Sequence, residues 1–149
     1  MLNTVLVALD VTANPPIAKS ELSDQVLKTL QELHLEARSK VVLAHVVPSN
    51  QSEVEVVVDR PATAVEHFPY SQIEQQLHAY QRRLDCESAV EIVIGDPAEE
   101  IVRLAKIHNA DLIVLGSRGL TGMKRILLGS VSSQIVEDAP CSVLVVKPK

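Results

Sequence analysis

Short apolar runs rich in valine, isoleucine and leucine recur along the chain at intervals that leave room for a helix between them. They lack the polar alternation of a half-exposed strand, so they predict strands that are buried on both faces of a sheet. The predicted strands cover residues 5–9, 41–47, 90–94, 112–115 and 143–146.

The stretches between these runs have helical spacing. Apolar residues at three- and four-residue steps predict a helix over residues 17–35 and a second one around residues 73–84. Asp96 is a favourable N-cap and Pro97 suits the first helical position, so a third helix is predicted to begin there. A fourth is predicted over residues 130–138, before a proline.

Strands that alternate with helices predict a doubly wound α/β fold, in which helices cover both faces of a parallel sheet. The chain has 149 residues, 46% of them hydrophobic, which is enough for one sizeable core and too few for two ordinary domains. We therefore expect residues 1–149 to form a single domain. Residues 49–69 are the least regular stretch, and their apolar run at 54–58 is either an extra strand or an apolar patch on a loop.

Charge and composition narrow the choice of partners. The net charge is −5 and only three residues are aromatic, so the basic surface and stacking side chains of a nucleic-acid binder are missing. No apolar run approaches the roughly 18–20 residues of a membrane span, and the start of the chain lacks a basic signal region. These features predict a cytoplasmic protein. Cys86 and Cys141 have no metal-ligand spacing and are expected to be buried or idle thiols and not a disulfide.

The candidate chemistry follows the fourth predicted strand. Glycines at the end of a strand allow a close approach of the backbone to a ligand, and a glycine before a helix leaves free N–H groups at the helix start. The helix dipole adds roughly 0.3–1 kcal/mol for an anion there. The segment reads Gly116-Ser117-Arg118-Gly119, then nine residues, then Gly129-Ser130-Val131-Ser132.

Side chains in the same segment also favour phosphate. The hydroxyl groups of Ser130 and Ser132 can donate hydrogen bonds, and Arg118, Lys124 and Arg125 are basic in a stretch without any acidic residue. The alternative is that the glycines only close a loop, that Ser130 is an ordinary N-cap and that the basic residues are solvated. Because glycines, hydroxyl groups and basic residues converge on one strand-to-helix connection, we favour phosphate binding.

Asp10 follows the first predicted strand. If the first and fourth strands are neighbours, Asp10 lies at the same edge of the sheet as the glycine segment, where open parallel sheets bind ligands. It would then hold the ribose, the base or magnesium. The alternative is an aspartate that caps the turn after the strand.

Other common sites are missing from the sequence. It contains neither a Gly-x-x-x-x-Gly-Lys-Ser/Thr phosphate loop nor a Gly-x-Gly-x-x-Gly motif after its first strand. The five histidines are scattered, so each is interpreted as a packing or surface residue, and no catalytic triad can be assembled. Without an aromatic residue at the site, a base would lie between aliphatic side chains and contact backbone groups near Val46.

Residues 95–147, together with the opening TVLVALD and the VVLAHV strand, resemble the universal stress protein family. The spacing Gly-x2-Gly-x9-Gly-Ser is similar to that of the ATP-binding branch of the family. The resemblance implies a five-stranded sheet in the order 3-2-1-4-5, with ATP, or ADP or AMP, bound between the first and fourth strands. It places Asp10 and the Val46 backbone near adenine and ribose, Gly116, Arg118 and Gly119 along the ribose and phosphates, and residues 129–132 on the phosphates.

Two stretches depart from the family pattern. The family usually has small polar residues after the first-strand aspartate, whereas residues 11–16 here read Val-Thr-Ala-Asn-Pro-Pro, and residues 49–69 are individual to this chain. The favoured function is a nucleotide-dependent regulator or sensor in a stress response, acting through an unknown protein partner. Alternatives are a slow ATPase or a nucleotidyl or phosphoryl transferase, or an interaction module without nucleotide. The apolar last strand, at an edge of the sheet, predicts a two-fold homodimer, as does the resemblance.

Overall fold

The apolar runs form one parallel β-sheet in the computed structural model of the chain, which describes residues 2–9, 20–36, 38–48, 62–116 and 129–147. The strands are β1 (Thr4–Ala8), β2 (Lys40–Pro48), β3 (Glu87–Gly95), β4 (Leu112–Gly116) and β5 (Ser142–Val146). The helices of the described residues are α1 (Ser20–Glu32), α2 (Ala62–Gln81), α3 (Pro97–Ile107) and α4 (Ser130–Asp138).

The strand order is β3-β2-β1-β4-β5 and every neighbouring pair is parallel. The doubly wound fold and the order 3-2-1-4-5 are therefore confirmed. In the centre of the sheet, Ala8 is the last β1 residue to pair with either neighbour, opposite Ala44 on β2 and Leu115 on β4.

Two apolar clusters cover the two faces of this sheet. On one face, Leu27 and Leu30 of α1 and Leu77 of α2 pack against the strands. On the other, Leu104 of α3 and Ile135 of α4 do so. Helices α1 and α4 follow β1 and β4, which are neighbours, yet they lie on opposite faces. The strand order therefore reverses between β1 and β4, and a crevice is expected at the carboxyl ends of these two strands.

Local signals in the sequence fix the start of α3. The Asp96 side chain accepts a hydrogen bond from the Glu99 N–H at 3.0 Å, and Pro97 is the first helical residue. The predicted cap is confirmed. The helix ends at Ile107, so His108 lies just beyond it.

The edges of the sheet differ from the prediction. Strand β3 spans nine residues instead of the predicted five, and both β3 and β5 are only partly buried. Burial on both faces holds for β1, β2 and β4, because an edge strand has a neighbour on one side only. The predicted start of α1 at residues 17–19 and the apolar run at 54–58 lie outside the described residues.

Two further expectations concern the thiols and the membrane. Cys86 and Cys141 are both free, and burial raises the pKa of each thiol, which agrees with idle cysteines. Among the described helices, none has the length and apolar character needed to cross a membrane.

Candidate functional site

The carboxyl end of β4 and the start of α4 meet at the β1–β4 crevice. Gly116 is the last residue of β4, and α4 begins after Gly129. The Ser132 hydroxyl group donates a hydrogen bond to the Gly116 carbonyl oxygen over 3.2 Å. The structure therefore brings together Gly116 and the 129–132 segment, as the sequence predicted.

The first turn of α4 presents backbone N–H groups that have no acceptor among the described residues. Gly129 is the N-cap, and because it has no side chain, no side-chain cap bond is made. The first N–H to bond back into the helix is that of Ser133, which donates to the Gly129 carbonyl oxygen at 2.9 Å. Within the described residues, the N–H groups of Ser130, Val131 and Ser132 have no acceptor. Together with the helix dipole, they form a site suited to an anion.

The serines and the glycine of this turn have different roles. Ser132 is 4% exposed and its hydroxyl group is committed to Gly116, so this hydroxyl ties the helix to the strand instead of facing a ligand. Ser130 is exposed. Gly129 has φ −63° and ψ 164°, angles that any residue adopts, so what glycine supplies here is the missing side chain and not a special backbone angle.

On the β2 side of the crevice, two hydrogen bonds hold the backbone of Leu9 to β2. The Leu9 N–H donates to the Ala44 carbonyl oxygen at 2.9 Å. The Leu9 carbonyl oxygen lies 2.9 Å from Nδ1 of His45, a residue that is 8% exposed. Since a carbonyl oxygen only accepts, Nδ1 of His45 carries the proton and donates. Both polar groups of the Leu9 backbone are therefore fixed just before Asp10 in the sequence.

Val46, the predicted base contact, follows His45 on β2. Its side chain packs into the α3–α4 cluster and the residue is 8% exposed. Alternation along a parallel strand turns the Val46 N–H and C=O to the same side as those of Ala44, toward β1. Among the described residues, no hydrogen bond joins the Val46 backbone to β1. This backbone therefore faces the crevice.

The remaining predicted site residues, Asp10, Arg118 and Gly119, lie outside the described residues, as do Lys124 and Arg125. In the part of the chain that is described, no group of three or more His, Cys, Asp or Glu residues is placed to hold a metal ion.

His45 is the residue that sequence reasoning missed. It was interpreted as a packing or surface histidine, and it is indeed buried. Its bond to the Leu9 carbonyl, however, places it at the edge of the crevice. The available signal was a single polar residue inside the apolar run VVLAHVV, but its partner is 36 residues away and becomes visible only in the folded chain.

A groove of about 570 Å³ between α1 and the end of α2 is a separate feature. Arg83 and Asp24 form an ion pair of 2.8 Å across it, with both side chains substantially exposed, so the pair contributes about 0–1 kcal/mol. Arg83 lies just before β3, at the amino end of the strands and hence away from the crevice. The groove is lined by Asp24, Gln25, Lys28, Gln31 and Arg83.

Several known proteins are similar to this chain in sequence and fold. The universal stress protein MJ0531 of Methanocaldococcus jannaschii is 54% identical over 57 residues, which are 38% of this chain and 34% of that protein. The universal stress protein Sll1388 of Synechocystis is 29% identical over 96% of both chains. The solved structure of MJ0577 from M. jannaschii is 26% identical, with a TM-score of 0.79 over 99% of this chain and 96% of that one.

Two more distant structures contain nucleotides. A universal stress protein from Archaeoglobus fulgidus in complex with dAMP is 19% identical, with a TM-score of 0.65 over 96% of both chains. A universal stress protein in complex with cAMP is 21% identical, with a TM-score of 0.62 over 99% of this chain and 98% of that one. The Universal stress protein family matches residues 1–147, which include every strand and helix described above. The chain belongs to the universal stress protein family.

Proposed function

We propose that this protein binds an adenine nucleotide, in the first place ATP, in the β1–β4 crevice and acts as a nucleotide-dependent regulator of a cytoplasmic stress response. The observation that carries the proposal is the start of α4, which Ser132 holds beside Gly116 and where the N–H groups of residues 130–132 have no acceptor among the described residues. Such a helix start favours phosphate. The dAMP and cAMP bound to two relatives support adenine as the base.

Each predicted residue has a place in this proposal. The N–H groups of residues 129–132 and the exposed Ser130 hydroxyl bind the phosphates, while Gly116, Arg118 and Gly119 lie along the ribose and phosphates. Asp10 and the Val46 backbone contact ribose and adenine. A magnesium ion that accompanies ATP would be bound with the help of Asp10.

Regulation is favoured over catalysis because phosphoryl transfer needs a positioned base or nucleophile as well as charge stabilisation. In the described part of the crevice, the titratable side chain is His45, and its hydrogen bond to the Leu9 carbonyl gives it a structural role at the end of the β1–β2 pairing. The alternative is slow ATP hydrolysis or nucleotidyl or phosphoryl transfer in the same pocket.

One experiment distinguishes these functions. The purified protein is incubated with ATP and magnesium, freed from unbound ligand and denatured, and the released nucleotide is identified by chromatography. Intact ATP, near one per chain, supports the regulator. ADP or AMP supports the enzyme. No retained nucleotide, combined with no heat of binding in a direct titration, would contradict nucleotide binding and leave the interaction module.

The phosphate site is tested by Gly129→Val. Because the Gly129 backbone angles suit any residue, valine acts mainly by placing its side chain among the N–H groups, and ATP affinity should fall at least about tenfold, or about 1.4 kcal/mol. Ser71→Val is the control, because it introduces the same side chain at an exposed position in the middle of α2. Equal ATP affinity in the two variants would refute the site.

We also propose a homodimer through β5. This strand is an edge of the sheet, and two valines of the neighbouring α4, Val131 and Val136, are 41% and 46% exposed. Antiparallel pairing of two β5 strands around a two-fold axis would cover this edge. Light scattering at micromolar concentration should give the mass of a dimer, and the mass of a monomer would refute the proposal.

A further inference from the structure

We infer that His45 is a positioning residue that keeps the backbone of Val46 available to the base and so sets the preference for adenine. This inference rests on the proposed nucleotide site, and His45 acts on the base only through the backbone of Val46.

The regular ladder predicts a bond that is not made. In a parallel pair, successive bonds alternate between the strands, and the Leu9 N–H follows this rule by donating to the Ala44 carbonyl oxygen at 2.9 Å. The next bond of the series would run from the Val46 N–H to the Leu9 carbonyl oxygen. Among the described residues, that oxygen instead accepts from Nδ1 of His45, at 2.9 Å.

The imidazole ring of His45 therefore takes the place of one backbone hydrogen bond between β1 and β2. It satisfies the buried Leu9 carbonyl in place of the Val46 N–H. At the same time it ends the β1–β2 ladder one bond early. The N–H and C=O of Val46 then face the β1–β4 crevice with no partner on β1 in the described part of the chain.

A residue whose backbone N–H and C=O are both available can recognise the hydrogen-bonding edge of adenine. Its N–H can donate to the ring nitrogen N1 of adenine, and its C=O can accept from the exocyclic amino group, which is a donor. Guanine presents the opposite pattern, with an oxygen acceptor in place of the amino group and a ring N–H in place of N1. An unpaired Val46 backbone therefore favours ATP over GTP.

The test compares two substitutions of His45. His45→Asn keeps an N–H donor close to the position of Nδ1, whereas His45→Leu removes the donor and keeps an apolar volume. We expect His45→Leu to weaken ATP binding about tenfold and to lower the ratio of ATP to GTP affinity, with the melting temperature little changed. His45→Asn should stay close to the wild type in all three measurements.

The control is His78→Leu, the same chemical change on the exposed surface of α2, where His78 bonds Gln81 within the same helix. It should leave both affinities unchanged. Equal ATP to GTP ratios in the wild type and in His45→Leu would overturn the inference. If His45→Leu does not fold, His45→Gln serves instead, because its amide nitrogen lies near the position of Nε2 and so loses the bond to Leu9.

A second readout needs no nucleotide. If the ring holds the ladder open, its removal lets the Val46 N–H bond to the Leu9 carbonyl, and amide hydrogen exchange at Val46, followed by NMR, should become slower in His45→Leu and stay fast in His45→Asn. Unchanged exchange in His45→Leu would overturn the role of His45 even where ATP binds. Conversely, a wild type that binds no nucleotide refutes the proposed function, while the exchange measurement still decides what His45 does.

Discussion

The bond between Ser132 and Gly116 allows a quantitative prediction. Ser132→Ala removes the only side-chain hydrogen bond described between α4 and the end of β4. At 3.2 Å the bond is long for a hydroxyl donor, which places it in the middle or lower part of the usual net range of roughly 0.5–1.5 kcal/mol. Alanine also has a higher helix propensity than serine, which offsets the loss by up to about 0.5 kcal/mol.

Ser133→Ala is the matched control, because Ser133 is the next residue of the same turn and is exposed. It measures the gain in helix propensity alone. In urea unfolding, the free energy of unfolding of Ser132→Ala should lie about 1 kcal/mol below that of Ser133→Ala. Ser132→Thr, which keeps the hydroxyl group, should recover most of the difference. Equal unfolding free energies in the two alanine variants would refute the view that this bond holds the start of α4 against the sheet.

Two further predictions concern stability. The backbone N–H groups of Thr4 and Asn3 donate to the Asp111 carboxylate at 3.0 and 2.9 Å and lower its pKa below the ordinary 3.8. A carboxyl group with a lowered folded-state pKa stabilises the fold above its unfolded pKa and loses that contribution as the pH falls through the folded one. The urea midpoint of Asp111→Ala should therefore lie below that of the wild type at pH 7 and approach it below pH 3.8, and a gap that is independent of pH would contradict this. Leu77→Ala should cost about 2–5 kcal/mol, because Leu77 is fully buried between α2 and the sheet; Leu33→Ala, at a residue that is 36% exposed, should cost much less, and similar losses would argue against the packing described.

The sequence was sufficient where local chemistry decides the structure. The cap at Asp96 and the helix of residues 130–138 both appear as predicted, because capping and the limits set by proline act over a few residues. Strand β3 was predicted too short. Its first residues, Glu87 and Ser88, are polar, and an edge strand tolerates polar residues that a central strand does not.

In the candidate site, the sequence predicted which segments meet but not which side chains bond to each other. Gly116 and Gly129 were found from their spacing and from a family resemblance, and the structure brings their segments together. The use of two side chains was not foreseen. The Ser132 hydroxyl, predicted as a possible donor to phosphate, donates to the Gly116 carbonyl, and His45 bonds Leu9 across the sheet. Both partners are distant in sequence, so neither pairing follows from periodicity or propensity.

The unequal lengths of the central strands have a consequence for how such a site changes over evolution. Strand β1 ends at Ala8, while β2 and β3 remain paired up to Pro48 and Gly95, four residues beyond the level of Ala44. At about 3.3 Å per residue, this pair forms a wall roughly 13 Å high above the end of β1. Most of the buried apolar side chains lie below that wall. Val46, at the foot of the wall, is buried, whereas Pro48 and Ile94 at its top are more exposed. Substitutions at the top should therefore change the rim of the pocket at a lower cost in folding stability than substitutions at its foot, so that ligand choice can vary partly independently of fold stability.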